Sequence, residues 1–156
     1  MEIQESDIYR IAFNRTITAN MLLPYQINAA KINWLHGYID NTVLATLEAN
    51  EGDEYDDFIN DYIKPIWAVG VVYSNFEYIT NQLTDKGLIQ LVFEGATNVV
   101  NSERIDDYKN ELLDNICFLL RSLNIKGKEV FGKDILKIAP TKYKLSQPDL
   151  INNRAY

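Results

Sequence analysis

The chain has 156 residues, 47% hydrophobic and 12% aromatic, with 15 Lys+Arg against 22 Asp+Glu and a formal net charge of −7. That length suits one domain, which buries about 68–70% of the surface its unfolded chain exposes and needs no covalent staple. The apolar content excludes a wholly disordered chain. The charge is uneven: residues 1–124 hold 8 basic and 19 acidic side chains (8 − 19 = −11), and residues 125–156 hold 7 and 3 (7 − 3 = +4).

Residues 1–25 are mixed, with Ile8, Ile11 and Phe13 apolar and Pro24 as punctuation, and read as a short helix or an extended arm. Asn28 offers a side-chain cap to a helix starting at Ala29. Ile32, Leu35, Ile39, Val43 and Leu47 then line one helical face. Gly37 interrupts that face at a cost of about 1 kcal/mol against alanine, which offers a point for division into two short helices. The strongest helix follows. Tyr55, Ile59, Tyr62, Ile66, Val69, Tyr73 and Phe76 alternate steps of four and three, with Asp53, Glu54, Asp56 and Asp57 at its positive end. Pro65 predicts a kink or a fresh start near Lys64, and the all-round apolar stretch 66–73 predicts burial on every side. Ile79–Leu83 and Leu88–Phe93, flanking Thr84-Asp85-Lys86-Gly87, predict a short β-hairpin over about 79–93. From Ser102, the positions Ile105, Tyr108, Leu112, Ile116, Leu119 and Leu123 predict an amphipathic helix over 103–124, closed by Asn124 and Gly127. Glycines, prolines and recurrent lysines predict an extended basic tail over 125–156, or one ordered on a partner. The expected class is mainly α: a small helical bundle at 1–124 with a short β-hairpin and an extended C-terminal tail at 125–156.

The parts needed for chemistry are scarce. Cys117 is the single cysteine, so no internal disulfide forms, and its apolar run Ile116–Leu120 marks it as a buried small hydrophobe. His36, the single histidine, stands beside Trp34 and Asp40 without a nucleophile and reads as structural. One His and one Cys disfavour zinc. The seven acids between Glu48 and Asp61 lack the order of a calcium loop and read as a solvated helix start or an electrostatic docking surface. No glycine-rich phosphate loop is present. No catalytic, cofactor or metal site is therefore expected, and the chain is not read as an enzyme. The N-terminus lacks the order of a signal peptide, and the longest apolar run, Ile66–Tyr73, falls far short of the roughly 20 residues a bilayer requires, so a soluble protein made inside the cell is expected. An acidic body is repelled by nucleic-acid phosphates, and the basic tail suits an acidic protein surface better than DNA. The candidate assembly interface pairs Asp53, Glu54, Asp56 and Asp57 with Lys126, Lys128, Lys133, Lys137, Lys142 and Lys144, which predicts salt-sensitive assembly. Trp34 and Trp67 are candidate interface anchors, with burial in the core the favoured reading for Trp67.

Three stretches carry a family resemblance: Ile27-Asn28-Ala29-Ala30-Lys31-Ile32-Asn33-Trp34-Leu35-His36-Gly37 running on to Val43-Leu44, Asp61-Tyr62-Ile63-Lys64-Pro65-Ile66-Trp67-Ala68, and Ile79-Thr80-Asn81-Gln82-Leu83-Thr84-Asp85-Lys86-Gly87-Leu88. In order and spacing they resemble the helical head–tail connector (adaptor or neck-ring) proteins of tailed bacteriophages, most of all those of Bacteroidetes and crAss-like phages. The likeness covers about residues 26–124. His36 stands where a second leucine is usual, and 125–156 has no counterpart. The resemblance implies a structural virion protein: a ring of identical copies, commonly dodecameric, between the portal protein and the tail. Such a ring extends the DNA channel without binding DNA specifically, docks the next neck or tail component, and involves no cofactor and no membrane. The alternative is a monomeric acidic helical binding module of the immunity or anti-repressor type.

Overall fold

A computed structural model describes residues 1–14, 17, 20–85 and 102–141. The chain is mainly α, a helical bundle arranged around one central helix. In chain order the helices are α1 (Glu5–Phe13), α2 (Pro24–Ala30), α3 (Asn41–Ala49), α4 (Asp56–Phe58), α5 (Lys64–Ser74), α6 (Phe76–Asp85) and α7 (Ser102–Phe131). Of two π-helical segments, Lys31–His36 continues α2 and Ile59–Ile63 joins α4 to α5 in one helical run.

The central helix is α5, and its apolar run explains why. Ile66 to Val72 are buried without interruption, and each large aliphatic side chain so removed from water stabilises the fold by about 1.5–3 kcal/mol. Helices α1, α2 and α7 pack against it. Pro65 sits in its first turn. Having no N–H, it leaves the Asp61 carbonyl without its helical partner, and the chain ahead of it is widened to π geometry. The kink or fresh start expected near Lys64 is instead a change from π to α geometry within an unbroken helical run.

Close approach to α5 is gated by Gly70. A Cβ there would lie 2.4 Å from Trp34 Cδ1. The indole of Trp34 fills the space, meets Tyr73 edge-on at 5.6 Å, and donates from Nε1 to Ser74 Oγ at 2.9 Å. Trp67 is buried as expected and donates to the Ile27 carbonyl at 2.9 Å.

Several boundaries differ from the sequence reading. Helix α2 begins at Pro24, not Ala29, and Asn28 is no cap; the Gln26 side chain instead accepts from Leu23 N at 2.8 Å. Ile32 does not share the buried face of Leu35, Ile39, Val43 and Leu47, because the π segment and the break at Gly37 change the register; it is 55% exposed. The first arm of the expected hairpin is helix α6. Phe76, Ile79 and Thr80 are buried at helical spacing, and Thr80 Oγ1 donates to the Phe76 carbonyl at 2.7 Å. Packing against the core outweighs the β preference of Ile79-Thr80. Residues 86–93 of that expectation lie outside the described residues. The sole β pairing among the described residues is an isolated antiparallel bridge, Ile39 to Leu136.

The last helix is longer than its seam suggests. It runs through Asn124 and Gly127 to Phe131 and ends at Gly132, whose φ of +70° suits a glycine. Residues 125–131 are thus helix rather than extended tail. The buried stripe is Leu113, Ile116, Leu120, Leu123 and Gly127, one step round from the predicted face. Gly127 belongs to that stripe because Ile135 packs onto it: a Cβ would lie 2.3 Å from Ile135 Cδ1. Beyond Gly132 the chain turns back, and Ile135 is fully buried. Asn124 Oδ1 accepts from Ile135 N at 2.9 Å and Leu136 N at 3.3 Å. Asp40 N donates to the Ile135 carbonyl and Lys137 N to the Tyr38 carbonyl, both at 2.8 Å. Residues 132–141 are part of the body.

Candidate functional site

Of the residues singled out as an assembly interface, the acidic turn is brought beside the C-terminal end of α7. The turn before α4 holds Gly52 at φ +83° and Asp53 at φ +62°, and Asp53, Glu54, Asp56 and Asp57 are all exposed. Asn50 organises this turn, donating to Asp56 Oδ1 at 2.8 Å and accepting from Tyr55 N at 3.0 Å. Tyr55 stacks on Phe131 at 5.5 Å and Phe58 meets it edge-on at 5.6 Å between ring centroids, so the acidic turn sits beside the C-terminal end of α7. The acidic turn thus lies near the end of α7 that carries Lys126 and Lys128.

The described lysines are also engaged within the chain. Lys126 pairs with Glu129 at 2.7 Å, Lys128 with Asp134 at 2.9 Å and Lys133 with Asp40 at 3.6 Å. Lys137 Nζ donates to the His36 carbonyl at 2.7 Å and to Asn41 Oδ1 at 2.8 Å. Exposed pairs of this kind each contribute little, about 0–1 kcal/mol, but they locate the charge: it fastens the returning chain to the body. Lys142 and Lys144 lie outside the described residues.

Asp40 shows the same economy. It caps α3, accepting from Thr42 N at 2.9 Å, Val43 N at 3.2 Å and the Thr42 hydroxyl. The Thr42 hydroxyl bond, then the Val43 amide, hold its carboxyl down at about 2. His36 is exposed, and partial burial followed by nearby Lys31 lowers its pKa, so it stays neutral at pH 7. Cys117 is buried, in keeping with its apolar surroundings in the sequence. Among the described residues no group of three or more His, Cys, Asp or Glu converges as a metal site, and none of their helices is long and apolar enough to cross a membrane.

Three structural devices escape the sequence pattern. Glu5 Oε1 accepts from Tyr9 OH at 2.7 Å, Met21 N at 2.6 Å and Leu22 N at 3.0 Å, so one carboxylate ties the start of α1 to the entry of α2. Burial, then the Glu5 bond, push the Tyr9 phenol far above its ordinary range. Glu48 receives both the Met1 ammonium, at 3.1 Å, and Lys31, which also lies 5.2 Å over the Trp67 ring. Burial favours protonation of Glu48, but these cations outweigh it and its pKa falls. Tyr38 OH is buried with no hydrogen-bond partner among the described residues, and burial raises its pKa. None of these contacts joins residues near in sequence by helical spacing alone, except Glu5–Tyr9.

Two apolar features face outward. Leu23, Tyr25 and Ile32 are 50%, 67% and 55% exposed on α2 and its π continuation. Phe118 and Ile125, one heptad apart on α7, are 65% and 67% exposed. A cleft of about 360 Å³ opens between α1, α6 and α7, lined by Phe13, Phe76, Tyr108 and Leu112 with Glu111 and Asn115 beside them. Fold and surface together define a mainly α protein with exposed apolar helix faces. No family model, no curated protein and no solved structure matches the chain.

Proposed function

We propose that this chain is a non-enzymatic structural protein that forms a ring in the neck of a tailed-bacteriophage virion, between portal and tail. The copies extend the DNA channel and offer a docking face to the adjoining neck or tail protein. The order of segments over residues 26–124 supports this reading, as does an acidic body that gives passing DNA no cationic surface on which to release counterions. The observation that carries it is the exposure of three large apolar side chains, Leu23 at the N-cap of α2, Tyr25 on α2 and Ile32 on its π continuation. Three large exposed apolar side chains within ten residues of chain suit contact with another protein. A ring needs a heterologous contact, and α2 supplies one of its two unlike patches. Lys126, Lys128, Lys133 and Lys137 also make contacts within their own chain, so we assign the contact between copies first to apolar side chains, with the exposed carboxylates at 53–57 adding a salt-sensitive part.

Mass spectrometry and imaging of particles of the encoding phage test this reading. The chain is expected in purified virions as a ring at the neck, and Tyr25→Glu with Ile32→Glu is expected to fold but not be incorporated. Absence of the chain from particles rejects the reading. The self-contained lysine pairs also favour the alternative, a monomeric acidic binding module, because they leave the carboxylates of the 53–57 turn facing outward. A stable monomer in solution that binds one soluble protein partner supports that alternative.

A further inference from the structure

We propose that the exposed face of α7 bearing Phe118 and Ile125 is the partner of the α2 patch on a second copy of the chain. Each copy then offers α2 to one neighbour and α7 to another. The inference deepens the ring reading by naming its second patch, and rests on that reading only for the premise that α2 meets another copy.

The two faces carry the same pattern. Tyr25, Ala29 and Ile32 are exposed at steps of four and three along α2 and its π continuation. Phe118, Ser122 and Ile125 repeat those steps on α7, with Ser122 half-buried and the apolar pair 65% and 67% exposed. Each face is therefore an aromatic ring, a small residue and an isoleucine, and its outer two members are separated by about 10 Å of helix. Steps of four and three are those by which one helix seats its side chains between those of another. The small central residue leaves room for a large one opposite. Faces of equal length and like spacing can thus remove each other's apolar side chains from water.

Charge favours unlike pairing. Residues 8–39 hold three basic side chains (Arg10, Arg15 and Lys31) and no acid, while the remainder of 1–124 holds five basic and nineteen acidic ones (5 − 19 = −14). Helix α2 thus lies in the longest acid-free stretch of the chain. The α7 face is bordered by carboxylates at both ends: Glu111 seven residues before Phe118, and Glu129 four after Ile125, where it also meets Lys126 at 2.7 Å. A second α7 face would bring its own carboxylates to the contact, and like charges across an interface oppose it. The α2 patch brings none. Two faces of this length fall short of the roughly 1,200 Å² buried in a stable pair. Single contacts therefore exchange, and closure of a ring holds them together.

Cross-linking of the full chain suits a contact of that strength. In a Cys117→Ala background, chains with Ala29→Cys are mixed with chains with Ser122→Cys and treated with a short bismaleimide. The mixed dimer is expected to exceed either homodimer by about tenfold. Tyr25→Glu in the first chain, or Phe118→Glu in the second, should abolish that excess while helical content by circular dichroism holds. A statistical mixture of dimers overturns the proposal, and so does the lack of any dimer. An excess of either homodimer also overturns it, by assigning that face to a two-fold contact. These failures leave the neck reading to be judged by virion content, since a ring joined through other faces is still found in particles.

Discussion

The central helix α5 and the returning segment 132–141 are both anchored by a close glycine contact, yet they stand at opposite extremes of legibility. Helix α5 announces itself: an unbroken apolar run leaves burial as its one low-energy solution, and Gly70 merely lets Trp34 come close. The return is lysine-rich and broken by glycine, and by composition it belongs outside the core. It is nonetheless held by one buried isoleucine, one glycine on α7 and one asparagine that satisfies two of its amides. The difference teaches that a segment poor in apolar residues docks when a neighbour supplies a shaped surface and a hydrogen-bond acceptor. Neither is visible in the segment's own sequence.

Substitutions sharpen this contrast. The largest effect is expected from Trp34→Ala, which opens a cavity over Gly70 and removes the Ser74 hydroxyl's donor; about 3–5 kcal/mol should be lost, read from the urea midpoint at unchanged m. Ile135→Ala should cost about 2–5 kcal/mol if the return is core, and close to nothing if it is a tail. A midpoint unchanged by Ile135→Ala breaks the comparison outright. Asn124→Ala leaves the Ile135 and Leu136 amides without their acceptor and should cost about 1–3 kcal/mol.

Gly127→Ala is a finer probe because its sign depends on Ile135. With Ile135 present the new methyl group crowds it and should destabilise by about 1–3 kcal/mol. In the Ile135→Ala background the same change should stabilise by up to about 1 kcal/mol through helix propensity alone. A Gly127→Ala effect that is the same in both backgrounds removes the contact from the explanation.

The smallest effect concerns pH. The Asp40 carboxyl is held down at about 2 in the folded chain, below its ordinary value of 3.8. Its contribution is therefore complete above pH 3.8 and is lost as pH falls towards about 2. Thermal midpoints measured across that window should fall less steeply for Asp40→Asn than for the natural chain.

The hairpin expectation and the α7 boundary failed for related reasons. Ile79-Thr80 are β-branched and sit near turn residues, so local preference favoured a strand, but their burial with Phe76 at helical spacing decided for helix. Asn124 and Gly127 resemble helix terminators, yet one accepts the amides of the returning chain and the other admits Ile135. The proposed contact patch was equally hidden. Ile32 fell on a continuous apolar seam in the sequence, but it lies in the π-helical turn and is exposed. The charge clusters were plain as a list of residues, but the place of the acidic turn beside α7 depends on Tyr55 and Phe58 meeting Phe131.

The sequence by itself determined the helical class, the burial of α5, a perturbed helix at Pro65 and the burial of Cys117, because each follows from short-range periodicity or from one residue's covalent limits. Tertiary structure alone decided where the basic segment goes, which glycines are contacts rather than breaks, and which apolar side chains stay outside. Those outcomes depend on surfaces contributed by residues 10 to 100 positions away, and a hydrogen bond or a packed methyl group across that separation leaves no local pattern in the chain.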